Sequence, residues 1–152
     1  IVPILPSFFN TILENYMIMA EENNRHLKVQ NQINQTIYTD KTLLKQVITI
    51  LFDNALKYTE DGGHIHLQLH IRGRQLIFSV ADDGLGISDA DKKKIFDRFY
   101  RVDKARTRQK GGCGLGLSLA KQILDTLNGS ITVKNNLPKG SIFEIRLPVK
   151  IK

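Results

Sequence analysis

Two glycine-rich segments combine residue types that could bind a nucleotide. The first reads Val-Ala-Asp-Asp-Gly-Leu-Gly-Ile over 80–87, and the second reads Gly-Gly-Cys-Gly-Leu-Gly-Leu-Ser over 111–118. A carboxylate in a tight turn can accept a hydrogen bond from a purine amino group. Glycines that open a helix let backbone N–H groups close on phosphate, where the helix dipole also favours negative charge. Together the two segments predict a site for one purine nucleoside triphosphate, bound at both ends.

A third group of polar residues lies on one flank of a predicted helix. Asn54, Lys57 and Tyr58 are spaced to lie together there with Ile50. An Asn carbonyl oxygen is a hard ligand suited to Mg²⁺, which keeps waters and phosphate oxygens as its other ligands. Lys57 could reach a phosphate and Tyr58 could cover the base. Taken alone, this spacing is more typical of a solvated polar edge, and it indicates a nucleotide site only together with the two glycine-rich segments.

The two glycine-rich segments differ in how specifically they indicate a nucleotide site. Asp82-x-Gly84-x-Gly86 is also typical of an ordinary turn that ends a strand. Gly114 and Gly116 are more informative, because a glycine within a helix costs about 1 kcal/mol relative to alanine. Two of them at this spacing indicate a close approach of the backbone to another group.

The elements that position these residues follow from periodicity and capping signals. Helices are predicted over 6–23, 40–58, 89–96 and 114–127, with Asp40 as an N-cap and 128–129 as a C-terminal cap. Strands are predicted as a pair over 26–32 and 34–38, as a hairpin over 64–71 and 75–81, and over 130–134 and 141–148. This order predicts an α+β two-layer sandwich, a mixed sheet covered on one face by about three helices.

Length and composition narrow the class of protein to which the chain can belong. The 152 residues suit one domain over 1–152, and no apolar run approaches the length of a membrane span. Residues 1–6 are interpreted as the remnant of a linker, and the basic, polar segment 102–112 as a mobile lid. The net charge is +7, but helix-turn-helix, zinc-finger and ribonucleoprotein motifs are lacking, so no nucleic-acid partner is expected. The single cysteine permits no internal disulfide, which suits a reducing compartment.

At this point the chain resembles the ATP-binding catalytic domain of bacterial sensor histidine kinases, within the superfamily shared with DNA gyrase and the Hsp90 chaperones. Residues 46–59 are similar to the family's N box, 82–87 to its first glycine box and 112–117 to its second. Ile-Phe-Asp-Arg-Phe-Tyr-Arg-Val-Asp over 95–103 resembles its F box, and 139–143 its closing segment. The match covers nearly the whole chain in the right order and implies the Bergerat-type ATP-binding fold.

The resemblance implies roles for individual residues. Asn54 would bind Mg²⁺, Lys57 a phosphate and Arg101 the γ-phosphate, so these three would serve catalysis. Tyr58 and Tyr100 would flank the adenine, whose amino group Asp82 would contact. The remaining implied nucleotide contacts are Gly84, Gly86, Ile87, Gly112, Gly114, Leu115, Gly116, Leu117 and Ser141.

The resemblance also implies partners. The γ-phosphoryl of ATP would pass to a histidine on a separate dimerisation hairpin, and from there to an aspartate of a response regulator. His26, His64, His66 and His70 do not stand in the family's phosphoacceptor context, so that hairpin is expected to be absent from this chain. The fragment is expected to be a monomer, and the full-length protein a homodimer with this domain in the cytoplasm, anchored through a membrane sensor.

Two positions depart from the family pattern. Ile50 stands where many relatives have Asn and gyrase-like relatives have the Glu that activates water. Isoleucine cannot abstract a proton, which favours transfer to an imidazole over hydrolysis. Cys113 replaces Thr or Ser, either as a near-isosteric change or as a redox-sensing thiol. Two alternatives to a kinase domain stay open: a non-catalytic ATP-binding switch module, and a hydrolytic ATPase of the gyrase or chaperone type.

Overall fold

The computed structural model describes residues 1–98, 100 and 116–151, and they form two layers. The helices are α1 (Pro6–Glu22), α2 (Lys41–Tyr58), α3 (Asp89–Lys92) and α4 (Gly116–Thr126). The strands are β1 (Val2–Ile4), β2 (His26–Asn31), β3 (Ile37–Thr39), β4 (His64–Arg72), β5 (Gln75–Asp82), β6 (Ser130–Asn135), β7 (Ser141–Pro148) and β8 (Lys150–Ile151). The three long helices pack on one face of the main sheet, which confirms the predicted sandwich.

The main sheet has five strands in the order β2-β4-β5-β7-β6. Strands β2 and β4 are parallel and the other neighbours are antiparallel, so the sheet is mixed as predicted. In β4, Ile65, Leu67 and Leu69 are buried under the helices, whereas His64 and Gln68 on the opposite face are exposed. The strict alternation of apolar and polar residues therefore fixes which face of the sheet carries the core.

A second, three-stranded sheet corrects two predictions. Its order is β1-β3-β8, so β3 does not pair with β2 and the predicted strand pair over 26–38 is wrong. Strand β2 aligns instead with β4, because Leu27 and Val29 then join the row of Ile65 and Leu67. The segment 1–6, predicted as a linker, contributes β1 and the fully buried Ile4 to the fold.

Helix α2 begins where the sequence predicts and carries one flank of the site. The Asp40 side chain accepts a hydrogen bond from the Leu43 N–H at 2.9 Å, a cap of the kind that stabilises a helix by about 1 kcal/mol. The buried stripe of α2 includes Phe52, whose ring stacks on Tyr16 of α1. This packing holds the C-terminal half of α2 against the sheet.

The remaining helices differ from prediction at their ends. Helix α3 has only four residues, and turns replace its predicted second half up to residue 96. Helix α4 is described from Gly116, and its C-terminal signal is confirmed because Asn128 adopts φ +60° and the Gly129 N–H bonds to the Leu124 carbonyl. Among the described residues, no helix combines the length and the apolar character needed to cross a membrane.

Candidate functional site

A pocket lies where the C-terminal half of α2, the turn after β5, the start of α4 and the start of β7 meet. Its described lining residues are Asn54, Tyr58, Asp82, Leu85, Gly86, Ile87, Ile95, Leu117, Ser141 and Phe143. Most of these side chains are apolar, and Asp82 is the lining residue with a carboxylate. This composition suits a flat apolar ring with a polar edge, because the walls exclude water while one acceptor fixes the ring's orientation.

Asp82 lies at the end of β5 with 2% of its surface exposed. Its Oδ1 accepts hydrogen bonds from the Gly84 N–H at 2.9 Å and the Ser141 N–H at 3.3 Å, and its Oδ2 accepts from the Ser141 hydroxyl at 2.9 Å. A carboxylate oxygen can accept two hydrogen bonds. Within the described part of the chain, Oδ2 therefore keeps one acceptor position for a donor in the pocket.

Burial raises the pKa of the Asp82 carboxyl above its ordinary 3.8, and the hydrogen bonds from Gly84 and Ser141 counteract part of that rise. The neighbouring Asp83 points to the other side of the strand. There its carboxylate accepts from the His64 N–H and pairs with the His64 ring at 3.0 Å, and these contacts lower its pKa despite some burial. The two adjacent carboxylates thus occupy opposite environments, and only Asp82 lines the pocket.

The glycines of this turn are required by close packing. A Cβ on Gly84 would overlap the Tyr58 carbonyl oxygen at the end of α2. Gly86 adopts φ +78°, a backbone conformation that favours glycine. Gly140 adopts φ +104°, and a Cβ there would overlap the Asp82 carbonyl. The Asp82-x-Gly84-x-Gly86 turn therefore places the end of β5 directly against α2 and the start of β7.

The structure brings seven of the predicted site residues together at the pocket and places four other described ones outside its lining. The predicted residues that line the pocket are Asn54, Tyr58, Asp82, Gly86, Ile87, Leu117 and Ser141. Those described nearby but outside the lining are Lys57, Gly84, Tyr100 and Gly116. Those outside the described residues are Arg101, Gly112, Gly114 and Leu115, together with the predicted lid over 102–112 and Cys113.

Tyr100 contacts α3 through its hydroxyl, and its place beside the adenine stays a prediction. Its hydroxyl donates a hydrogen bond to the Asp91 carboxylate, and that bond raises the pKa of the Tyr100 hydroxyl. Asp91 also accepts from the Ser88 hydroxyl at 2.9 Å. In this conformation the Tyr100 hydroxyl is held at α3.

Three pocket residues were not predicted. Leu85 is the variable residue of the Gly-x-Gly turn, Phe143 belongs to the buried face of β7, and Ile95 follows α3. The alternation in β7 identifies Phe143 as a core residue, but it does not indicate which end of the strand meets the pocket. Asn136 was also missed: its Nδ2 donates to the Asp82 carbonyl at 2.8 Å and thereby ties the β6–β7 loop to the site.

The histidines of β4 lie on the opposite, open face of the sheet. The His66 ring contacts the Gln30 side chain at 3.0 Å, and burial followed by the charge of Lys28 lowers its pKa. Across residues 1–98, 100 and 116–151, no group of three or more His, Cys, Asp or Glu side chains is arranged to hold a metal ion. These histidines therefore belong to a polar sheet face rather than to the pocket.

The residues present fit an adenine nucleotide with Mg²⁺. The acceptor position on Asp82 at an apolar wall matches an adenine amino group. Asn54 offers an amide oxygen at the same pocket, which is a suitable Mg²⁺ ligand when phosphate and water complete the coordination. Asp53 stands beside it on α2, where burial raises the pKa of its carboxyl and Lys57 counteracts the rise.

Comparisons with known proteins agree with this geometry. Residues 39–151 match the family described as the histidine kinase-, DNA gyrase B-, and HSP90-like ATPase. The chain is 61% identical to the sensor protein CiaH of Streptococcus pneumoniae serotype 4 over 144 residues, which cover 95% of this chain and 32% of CiaH. It is 35% identical to the sensor histidine kinase WalK of Bacillus subtilis over 145 residues, which cover 94% of this chain and 24% of WalK. The chain thus spans about a third or less of the length of these relatives.

A solved structure shows the same fold. The catalytic domain of the histidine kinase ThkA superposes with a TM-score of 0.80 at 25% identity, covering 97% of this chain and 94% of that one. The family match extends over more than half of the chain and includes α2, the turn after β5 and β7, which are the elements that form the pocket. The chain therefore belongs to the histidine kinase-, DNA gyrase B-, and HSP90-like ATPase family, and its relatives include sensor histidine kinases.

Proposed function

We propose that this domain binds Mg²⁺-ATP and donates its γ-phosphoryl group to a histidine on a separate dimerisation hairpin. The observation that carries the proposal is the buried Asp82 carboxylate, which keeps an acceptor position at an otherwise apolar pocket. The 61% identity to CiaH supports a sensor kinase rather than another branch of the family. The domain would therefore act in two-component signal transduction.

In this proposal the adenine enters between Tyr58 and the apolar wall formed by Ile87 and Leu117. Asp82 accepts a hydrogen bond from the adenine amino group. The triphosphate then extends from the base toward Asn54 on α2 and toward the start of α4, whose N-terminal N–H groups favour phosphate. The site residues on both sides thus orient the nucleotide along one direction.

The chemistry is a phosphoryl transfer. Bound Mg²⁺ would neutralise charge on the phosphate oxygens, and Asn54, which lines the pocket, would hold it. The imidazole nitrogen of the acceptor histidine forms the new bond to the γ-phosphorus, the bond to the β–γ bridging oxygen breaks, and ADP leaves. Arg101 and the second glycine box, Gly112, Gly114 and Leu115, would contact the phosphates in that step.

Ile50 supports transfer rather than hydrolysis. It lies one helical turn before Asn54, packs in part against the core, and comes within 3.6 Å of where a Cβ on Gly116 would stand. A base at that position would face the start of α4, where the phosphates are expected. Isoleucine cannot deprotonate water there, whereas an imidazole acceptor needs no activated water.

The partners of the full-length protein and its place in the cell are part of the same proposal. A solved structure holds the histidine kinase ThkA in complex with the response regulator TrrA. By analogy, the full-length protein would be a homodimeric, membrane-anchored sensor whose cytoplasmic hairpin passes the phosphoryl group to a response regulator. The fragment itself would be a monomer that docks on its own hairpin domain.

Transfer in trans tests the proposal. The chain is incubated with γ-labelled Mg²⁺-ATP and the separately produced hairpin domain of the same kinase, and acid-labile, base-stable label on the hairpin is the expected result. Asn54→Ala should abolish transfer, whereas Asn15→Ala, a matched change at an exposed position of α1, should leave it intact. Binding of ATP without transfer would favour the switch module, and release of phosphate without label would favour the hydrolytic ATPase.

A further inference from the structure

Arg25, between α1 and β2, makes an unusually complete set of hydrogen bonds for a residue outside the pocket. Its side chain is 10% exposed. Its acceptors are the Asn23 carbonyl (2.6 Å), the Asp61 carboxylate (2.9 Å), the Thr59 hydroxyl (2.9 Å) and the carbonyls of Thr59 (2.8 Å) and Leu56 (3.1 Å). One guanidinium thus joins the end of α1, the end of α2 and the loop that leads to β4.

Three of these bonds satisfy the C-terminal end of α2. The last carbonyls of a helix have no partner within the helix, and the helix dipole gives that end a partial negative charge. Arg25 donates to the carbonyls of Leu56 and Thr59 and supplies a positive charge at the same place. Thr59 is fully buried, and its hydroxyl also donates to the Ala55 carbonyl at 2.8 Å, so the helix end is fixed from both sides.

The turn of α2 that Arg25 holds includes Tyr58, a residue of the pocket. Tyr58 lies between Leu56 and Thr59, lines the pocket, and places its carbonyl against Gly84 so closely that no side chain fits there. Gly84 is in turn the backbone donor to Asp82 Oδ1 at 2.9 Å. A change in the position of the α2 end would therefore move Tyr58 relative to the Asp82 turn.

We propose that Arg25 is a positioning residue for nucleotide binding, which acts by holding the C-terminal turn of α2 so that Tyr58 and Asp82 stand at the correct separation across the pocket. This proposal rests on the proposed function. Lysine cannot replace Arg25, because an ammonium is a point donor whereas the guanidinium fork reaches acceptors on three sides. A misplaced α2 end would weaken the hydrogen bond between the base and the charged Asp82, and the loss of such a bond lowers affinity at least about tenfold.

Calorimetric titration of the whole chain with ADP tests the proposal, using Arg25→Lys and Arg25→Ala at a temperature where circular dichroism shows each variant folded. Both should bind ADP at least about tenfold more weakly than the parent. Asp61→Ala is the matched control: it removes only the partner that is 82% exposed, and should bind within twofold of the parent. Methylguanidinium should restore affinity to Arg25→Ala, whereas tetramethylammonium at the same ionic strength should not.

A purely structural role predicts a different pattern. Arg25→Lys would then unfold more easily while its folded molecules bind ADP like the parent, and that result would overturn the proposal while leaving the proposed function intact. If Arg25→Ala does not fold, Arg25→Lys alone decides by the same criterion. Absence of ADP binding in the parent would overturn the proposed function and the role of Arg25 together.

Discussion

Replacing Asp82 by Asn separates the adenine contact from the stability of the turn. The amide oxygen of Asn can still accept from the N–H groups of Gly84 and Ser141, and the amide nitrogen can donate to the Ser141 hydroxyl. The substitution also removes a buried charge, whose desolvation already raises the pKa of the Asp82 carboxyl. The fold should therefore persist, while the acceptor that we propose for the adenine amino group becomes a donor.

The expected loss follows from one hydrogen bond. A bond to a charged acceptor contributes about 1.5–3 kcal/mol, and about 1.4 kcal/mol corresponds to a factor of ten. Asp82→Asn should thus weaken binding of ADP by roughly 10- to 150-fold in a calorimetric titration. Asp83→Asn makes the same change of charge one residue away, where the carboxylate pairs with His64, and should stay within twofold of the parent.

The result that refutes this reasoning is equally specific. A folded Asp82→Asn protein that binds ADP within twofold of the parent would show that the carboxylate does not contact the base. Equal losses in Asp82→Asn and Asp83→Asn would indicate a general disturbance of the turn, because removing a negative charge would by itself favour binding of the anionic nucleotide. In either case the Asp82 carboxylate would not be the group that binds the adenine amino group.

Three further predictions concern other parts of the chain. Burial raises the pKa of Tyr16 from 10.0 to about 12, so its contribution to stability is complete below pH 10 and falls as pH rises through 12. Between pH 9.5 and 11.5, urea unfolding should show about 1.5–2 kcal/mol of additional loss relative to Tyr16→Phe, and equal losses would contradict the assignment. Gly116→Ala should weaken ADP binding with little change in stability, because among the described residues its Cβ meets only Ile50, at 3.6 Å. Gly84→Ala should instead lower the melting temperature, because it forces the Tyr58 carbonyl away. The opposite ranking of the two variants would refute the role of Gly116 as a point of approach to phosphate. Ile50→Glu should raise slow ATP hydrolysis at least tenfold if the protein stays folded, because a positioned base contributes a factor of about 10²–10⁴. An unchanged rate of phosphate release would remove this reason for preferring transfer over hydrolysis.

The sequence was sufficient for the elements whose signals are local. The alternation in β4, the cap at Asp40 and the apolar stripe of α2 each depend on neighbouring residues, and all three appear as predicted. The order of elements then led to a mixed sheet with helices on one face. The predicted site residues on these elements, Asn54 and Asp82 among them, do meet at one pocket.

What the sequence could not indicate depends on contacts between distant segments. The parallel pairing of β2 with β4 and the second sheet formed by β1, β3 and β8 join strands far apart in the chain, and short strands carry little periodicity of their own. Arg25 and Asn136 were missed for the same reason. Each is an ordinary polar residue in its local sequence and gains its role only from carbonyls supplied by other elements.

Titration of the isotopically labelled chain with ADP, with and without Mg²⁺, tests the central claim most directly. Saturable changes in amide chemical shift should centre on Tyr58, Asp82, Leu117 and Ser141, and Mg²⁺ should add changes at Asn54. The histidines on the open face of the sheet should stay unperturbed. A lack of saturable binding, or shifts concentrated on that open face, would contradict the assignment of this pocket as a nucleotide site.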